Sequence, residues 1–171
     1  IGIYQMIFLP TPDDTDRLGQ ILAHCLLAER DALIHKGFNI RLEGNLGAGK
    51  TSLTRATLRA LGVTGRIKSP TFTLLETYPI DSELEVFHFD FYRFETPEEF
   101  LDAGFRDNFA PSHITFCEWS EKAGSCLPQA DLTITLEPLE AGRSADISAT
   151  SELGSKVLDA LTKAWHLHAE L

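Results

Sequence analysis

Gly44-Asn45-Leu46-Gly47-Ala48-Gly49-Lys50-Thr51 fits the phosphate-loop pattern G-x-x-x-x-G-K-[ST]. Such a loop binds a nucleoside triphosphate. Glycines let the backbone turn its N–H groups inward as an anion cradle, Lys50 reaches the β- and γ-phosphates, and the Thr51 hydroxyl ligates magnesium. A helix opening here adds its positive end to the field on the phosphates. The flanks have the form the loop requires. Phe38-Asn39-Ile40-Arg41-Leu42 alternates apolar and polar side chains as a strand does, and Lys50 to Leu61 places Leu53, Ala56, Thr57, Ala60 and Leu61 on one helical face before Gly62.

Upstream, Asp13-Asp14-Thr15-Asp16 offers capping groups for an amphipathic helix carrying Leu18, Ile21, Leu22, Cys25 and Leu26 inward. Met6 is the only methionine, so Ile1 to Gln5 read as residues added ahead of the native start and are set aside from the fold. Downstream, Val63 to Lys68 has no periodicity, and Pro70 holds Ser69 extended in Ser69-Pro70-Thr71-Phe72. Leu74–Tyr78 and Leu84–Phe89 read as an antiparallel strand pair. Thr96-Pro97-Glu98-Glu99 is a helix start with Thr96 as the cap, and that helix ends near Gly104. Ile114–Cys117, Leu132–Leu136 and Ala145–Ser148 are further strands, and Ser151–Trp165 is a closing helix. Together these predict an α/β, P-loop NTPase-like three-layer fold with a mixed, mainly parallel sheet containing an antiparallel hairpin.

Residues 1–171 fit a single domain with a sizeable core. Hydrophobic residues at 43% and charged residues at 23% are globular values, and no stretch approaches a membrane span. Three cysteines without C-x-x-C spacing, and no signal peptide, suit a reducing cytoplasm. A net charge of −10 argues against a protein whose main task is gripping nucleic acid, so any RNA link is expected to be indirect.

Hydrolysis needs a magnesium ion near Thr51, a carboxylate to orient it and a group that positions water. Asp90 and Glu118 both lie at predicted strand ends, where α/β folds gather ligands, and one of them should face the metal. Thr71 is placed to sense the γ-phosphate. His88, alternating with Phe87 and Phe89, reads as a packed strand residue outside the mechanism, and Trp119 as core or partner-facing. Arg143 is a candidate phosphate or base contact. A small-molecule kinase would need lid arginines, of which the chain offers only Arg106 and Arg143. A GTP switch would need an Asn-Lys-x-Asp motif, and the sequence has none. A domain that binds ATP only as a structural ligand is compatible with the same residues.

The phosphate loop, Ser69-Pro70-Thr71-Phe72-Thr73-Leu74, His88-Phe89-Asp90-Phe91-Tyr92-Arg93 and Glu118-Trp119 stand in the order and spacing of the TsaE family, also called YjeE. The chain resembles that family from about Thr11 to Ile147. The resemblance implies the ATPase of bacterial tRNA threonylcarbamoyladenosine synthesis, with ATP and Mg²⁺ as its ligands. It implies work with TsaD and TsaB, which carry out the transfer to adenosine 37 of tRNAs reading codons that start with A. It also implies that tRNA is held mainly by those partners.

Position by position, the resemblance makes Gly44 to Ser52 the ATP cradle, including Asn45, Leu46, Gly47, Ala48 and Gly49. Lys50 acts on the phosphates, Thr51 and Glu118 on the metal, Thr71 as the nucleotide sensor and Asp90 as the acid that supports hydrolysis. Thr11, Thr15 and Arg143 resemble parts that border the nucleotide. Ser120 stands where the family commonly has proline, and Asp146 where a second basic residue is expected, which leaves Arg143 without a basic companion.

Overall fold

The computed structural model describes residues 3–169. Seven strands form one sheet, β1 (Ile3–Leu9), β2 (Phe38–Glu43), β3 (Leu75–Pro79), β4 (Glu85–Asp90), β5 (His113–Glu118), β6 (Leu132–Pro138) and β7 (Arg143–Ala149). Their spatial order is β1-β7-β6-β2-β5-β4-β3. The four inner strands β6, β2, β5 and β4 run parallel, and β3, β7 and β1 pair antiparallel outside them. The sheet is therefore mixed, with antiparallel pairs on both flanks and not only at the β3–β4 hairpin.

Helix α1 (Pro12–Ala28) packs on α3 (Lys50–Ala60), and α5 (Glu152–Ala169) lies against α1 and β7. Their buried faces are the predicted ones, with Leu18, Ile21, Leu22, Cys25 and Leu26 on α1 and Leu153, Val157, Leu158 and Leu161 on α5. Contact between α1 and α3 is close enough that a Cβ at Gly19 would lie 2.6 Å from the Cβ of Ala56, so only glycine fits there. On the opposite face, Phe87 and Phe89 of β4 meet Phe91, Phe94 and Phe100 in a second, aromatic core covered by the short α4 (Glu98–Asp102). Val86, one residue from Phe87, belongs to the larger core, which fixes the two faces of β4. Helices, sheet and the aromatic cover make three layers.

Two local readings are corrected and one helix is added. Ile3 to Gln5 take part in the fold: they pair with Ala149 to Ile147 as the first half of β1, whereas Ile1 and Gly2 lie outside the described residues. The alternation that marks this strand, exposed Tyr4, Met6 and Phe8 against buried Ile7 and Leu9, begins within the segment set aside. A further helix, α2 (Arg30–Lys36), fills the connection before Gly37; at seven residues with only Leu33 fully buried, it is too short to show a period. At α4 the Thr96 hydroxyl makes no capping bond; its N–H donates to the Glu99 carboxylate at 2.9 Å. At α1 the cap is Thr11, whose N–H and hydroxyl donate to Asp14 at 3.0 and 2.8 Å.

Candidate functional site

Parallel register brings the acids to the loop. Glu118 is the register partner of Leu42 on β2 and of Asp90 on β4, so the carboxyl ends of three strands form one row beside the turn into α3. A cleft of about 230 Å³ opens there. Gly47, Gly49, Lys50, Thr51 and Ser52 line one side of it, and Thr71, Asp90 and Glu118 the other. Leu46, Trp119 and Arg143 complete the rim.

The cradle has the required backbone. Gly49 has φ +105°, and a Cβ there would lie 1.8 Å from Nη1 of Arg143, so both its dihedral and the approach of the guanidinium require glycine. The first bond of the helical ladder runs from the Leu53 N–H to the Gly49 carbonyl at 3.0 Å. The N–H groups of Lys50, Thr51 and Ser52 are thus left facing the loop, as at any helix start. Lys50 is 6% exposed, donates to the Gly44 carbonyl at 2.7 Å and sits 4.3 Å from the Trp119 ring centroid. No carboxylate lies within 4.0 Å of it among the described residues. A buried ammonium with a carbonyl and a ring face but no counter-charge creates a strong local demand for an anion.

Opposite, Asp90 Oδ1 accepts the Tyr92 N–H at 2.9 Å, while Oδ2 faces Thr71 Oγ1 at 3.5 Å. Burial pushes the Asp90 carboxyl above its ordinary range, against the Tyr92 N–H, and nearby Glu118 adds to the rise. Thr71 Oγ1 lies 2.8 Å from Ser69 Oγ, and the Thr71 carbonyl accepts Arg93 Nε at 3.0 Å. Glu118 Oε2 is 2.6 Å from His88 Nε2, with both side chains buried. Ser120 donates from Oγ to Glu43 at 2.6 Å and ties the Glu118 loop to the end of β2.

No group of three or more His, Cys, Asp or Glu among the described residues is arranged to hold a metal. The hydroxyl and carboxylate oxygens that do line the cleft are hard donors, a set that fits a magnesium ion completing its shell with phosphate and water.

A family model described as "Threonylcarbamoyl adenosine biosynthesis protein TsaE" matches residues 9–145. The chain belongs to the TsaE family. A TsaE protein of Haemophilus influenzae is 37% identical over 155 residues, covering 91% of this chain and 96% of that protein. One from Synechocystis is 41% identical over 125 residues, 71% of each chain. One from Bacillus subtilis is 33% identical over 126 residues, 74% of this chain and 73% of that protein. Among solved structures, Bacillus subtilis YdiB superposes with a TM-score of 0.72 at 24% identity over 96% of each chain, which matches the fold.

Against this TsaE fold the expected site residues separate clearly. Lys50, Thr51, Ser52, Thr71, Asp90, Glu118 and Arg143 converge on one cleft with Leu46, Gly47 and Gly49. Asn45 lines an adjoining cavity with Gly44 and Lys50, and Ala48 is buried under the loop. Thr11 and Thr15 do not line the cleft: Thr11 is occupied in capping α1, and Thr15 is buried with no partner for its hydroxyl among the described residues. Asp146 lies on β7, where it is the register partner of Met6 on β1.

Sequence reasoning left out His88, which the structure joins directly to Glu118. Its signal was the two-residue spacing to Asp90, which puts both on the same face of β4.

Proposed function

We propose that this TsaE protein is a Mg²⁺-dependent ATPase that supports threonylcarbamoyl modification of adenosine 37 in tRNAs reading codons that start with A. In this reading it acts on a TsaD–TsaB complex that holds most of the RNA. Membership of the family carries the role in tRNA threonylcarbamoyladenosine biosynthesis. The observation that carries the ATPase reading is the buried Lys50, free of any carboxylate partner among the described residues, in a glycine cradle facing two acids.

On this reading the N–H groups at the start of α3 and the Lys50 ammonium bind the β- and γ-phosphates, and Lys50 leaves the Gly44 carbonyl to do so. Arg143, already against Gly49, reaches the phosphates from β7. Thr51 and Glu118 would hold the metal, whose chemistry is to neutralise charge on the phosphate oxygens. Asp90 orients a water and accepts its proton as the water oxygen attacks the γ-phosphorus and the bond to the bridging oxygen breaks. The raised affinity of this carboxylate for protons makes it a better base than an exposed aspartate. Thr71, in the Ser69–Phe72 loop beside Asp90, registers whether the γ-phosphate is present. No described helix is long and apolar enough to cross a membrane, and a cytoplasmic location belongs to the proposal.

The test is phosphate release from ATP by the chain alone, with TsaD and TsaB, and with unmodified tRNA added, while the modification is followed in parallel. Partner-stimulated hydrolysis together with modification that needs this chain is the expected result. ATP binding with neither would overturn the proposal.

A further inference from the structure

From Gly44 to Leu75 the sequence contains no Asp or Glu, although the chain has 25 of them, and this segment holds five of the fifteen Lys and Arg. Lys50 serves the cleft. The other four, Arg55, Arg59, Arg66 and Lys68, are all exposed, and none has a carboxylate within 4.0 Å among the described residues.

Arg55 and Arg59 stand one helical turn apart, about 6 Å along α3. They line a groove of about 570 Å³ between α1 and α3, with Ser52 at its cleft end and Gln20 and Asp16 on the α1 wall. Asp16 is the single acid on that lining. The Arg59 guanidinium donates to the Val63 carbonyl at 3.1 Å, which anchors its stem to the following loop. The Lys68 N–H donates to the Tyr78 hydroxyl at 3.0 Å, which ties the loop that follows α3 and carries Arg66 and Lys68 to β3.

We propose that this cationic face contacts the sugar-phosphate backbone of the tRNA directly. Four exposed, unpaired cations spread along a helix and the loop after it match a chain of phosphates better than one small anion, which a closed pocket would hold. The rest of the molecule carries ten basic residues against 25 acids. RNA is thus attracted at one face and repelled at the others, and approaches in one orientation. Base edges are not read, because cations on phosphates position the polymer without sequence information. The identification of the polyanion as tRNA rests on the family's pathway; it does not depend on ATP hydrolysis. Ser52 joins the two sites, since it lines both the groove and the nucleotide cleft at one end of α3.

The experiment is fluorescence anisotropy of labelled, unmodified tRNA with the full chain between 50 and 200 mM salt, beside a fluorescent ATP analogue as a separate binding assay. Arg55→Gln with Arg59→Gln should weaken tRNA binding at least tenfold. It should also lower the slope of log affinity on log salt by between about one and two, with ATP binding unchanged. Lys36→Gln, exposed at the far end of α2, should change neither. Arg66→Gln with Lys68→Gln, which leaves α3 intact, should weaken tRNA binding in the same direction and guards against a folding defect in the helix pair. Absent salt-dependent tRNA binding, unchanged affinity in both double variants, or a loss confined to TsaD–TsaB binding would overturn the proposal. The last result would make the face a dock for an acidic protein surface. Because nucleotide binding is read independently, failure here is distinct from failure of the ATPase reading.

Discussion

Asp90 is held in its cleft at an energetic cost. It is 5% exposed, and burial raises its proton affinity above that of an unfolded aspartate. A folded-state value above the unfolded one means that the native chain holds the proton more tightly. Stability therefore falls as pH rises through the window that starts near the ordinary 3.8 and ends at the raised folded value. Asp90→Asn keeps an oxygen for the Tyr92 N–H and removes the penalty. Without nucleotide it should melt higher than the parent at pH 7, with the gain disappearing below pH 3.8, as thermal melts across pH will register. The same variant should bind ATP normally and lose on the order of 10²–10⁴-fold in turnover, the usual range for a missing general base. If Glu118 holds the metal as proposed, His88 acts one step back. Its Nε2–H is the buried donor to Glu118, and its Nδ1 has no partner among the described residues. His88→Ala should raise the Mg²⁺ concentration needed for nucleotide binding about tenfold or more, as loss of a partner behind a metal ligand commonly does. His88→Gln, which can again place an N–H on the carboxylate, should recover part of that loss. A purely structural histidine would lower the melting temperature without moving the Mg²⁺ requirement.

At the scale of elements, the site depends on two antiparallel additions to a parallel core. The β6–β7 hairpin delivers Arg143 to Gly49, and β1 covers the outer edge of β7 in a seven-residue ladder. Gly49→Ala should abolish nucleotide binding, because a Cβ at φ +105° is strained and would occupy the Arg143 guanidinium position. Equal ATP affinity in this variant would refute the close approach of Arg143. Deleting residues 1–5 removes the β1 pairs opposite Ala149, Ser148 and Ile147. The expected loss is on the order of 1–2 kcal/mol, a fall of roughly 2–8 °C in melting temperature. An unchanged melting temperature would show that this half of β1 carries no stability.

These elements also mark what the sequence makes legible. Strand β2, the loop and α3 could be read because period, glycine spacing and a terminating Gly62 agree within thirty residues or so of chain. Thr11 and Thr15 are expected at the nucleotide only through the family resemblance, and the fold shows that one is a cap and the other buried. The His88–Glu118 contact spans two strands thirty residues apart, a relation set by parallel register, which no local pattern contains.

For the whole molecule, the same separation governs how nucleotide and stability are linked. Lys50 on α3, Asp90 on β4, Glu118 on β5 and Arg143 on β7 come from four elements spread over most of the chain, and they meet only when the sheet is complete. A ligand held by all four binds the folded state and has no comparable site on the unfolded chain. Mass action then stabilises the fold by RT ln(1 + [L]/Kd), about 2.7 kcal/mol at a hundredfold excess over Kd. For a domain of 171 residues that is a rise of roughly 5–11 °C in melting temperature with Mg²⁺ and ATP present. Lys50→Ala removes the buried charge that the phosphates answer. Its ATP-dependent shift should vanish at the same ATP concentration, while its melting temperature without nucleotide stays at or above that of the parent, since an uncompensated buried cation is gone. A thermal-shift series of parent and variant, with and without MgATP, measures both. A full ATP shift in Lys50→Ala would move the phosphate site away from this loop and remove the basis for assigning Asp90, Thr71 and Glu118 to its chemistry.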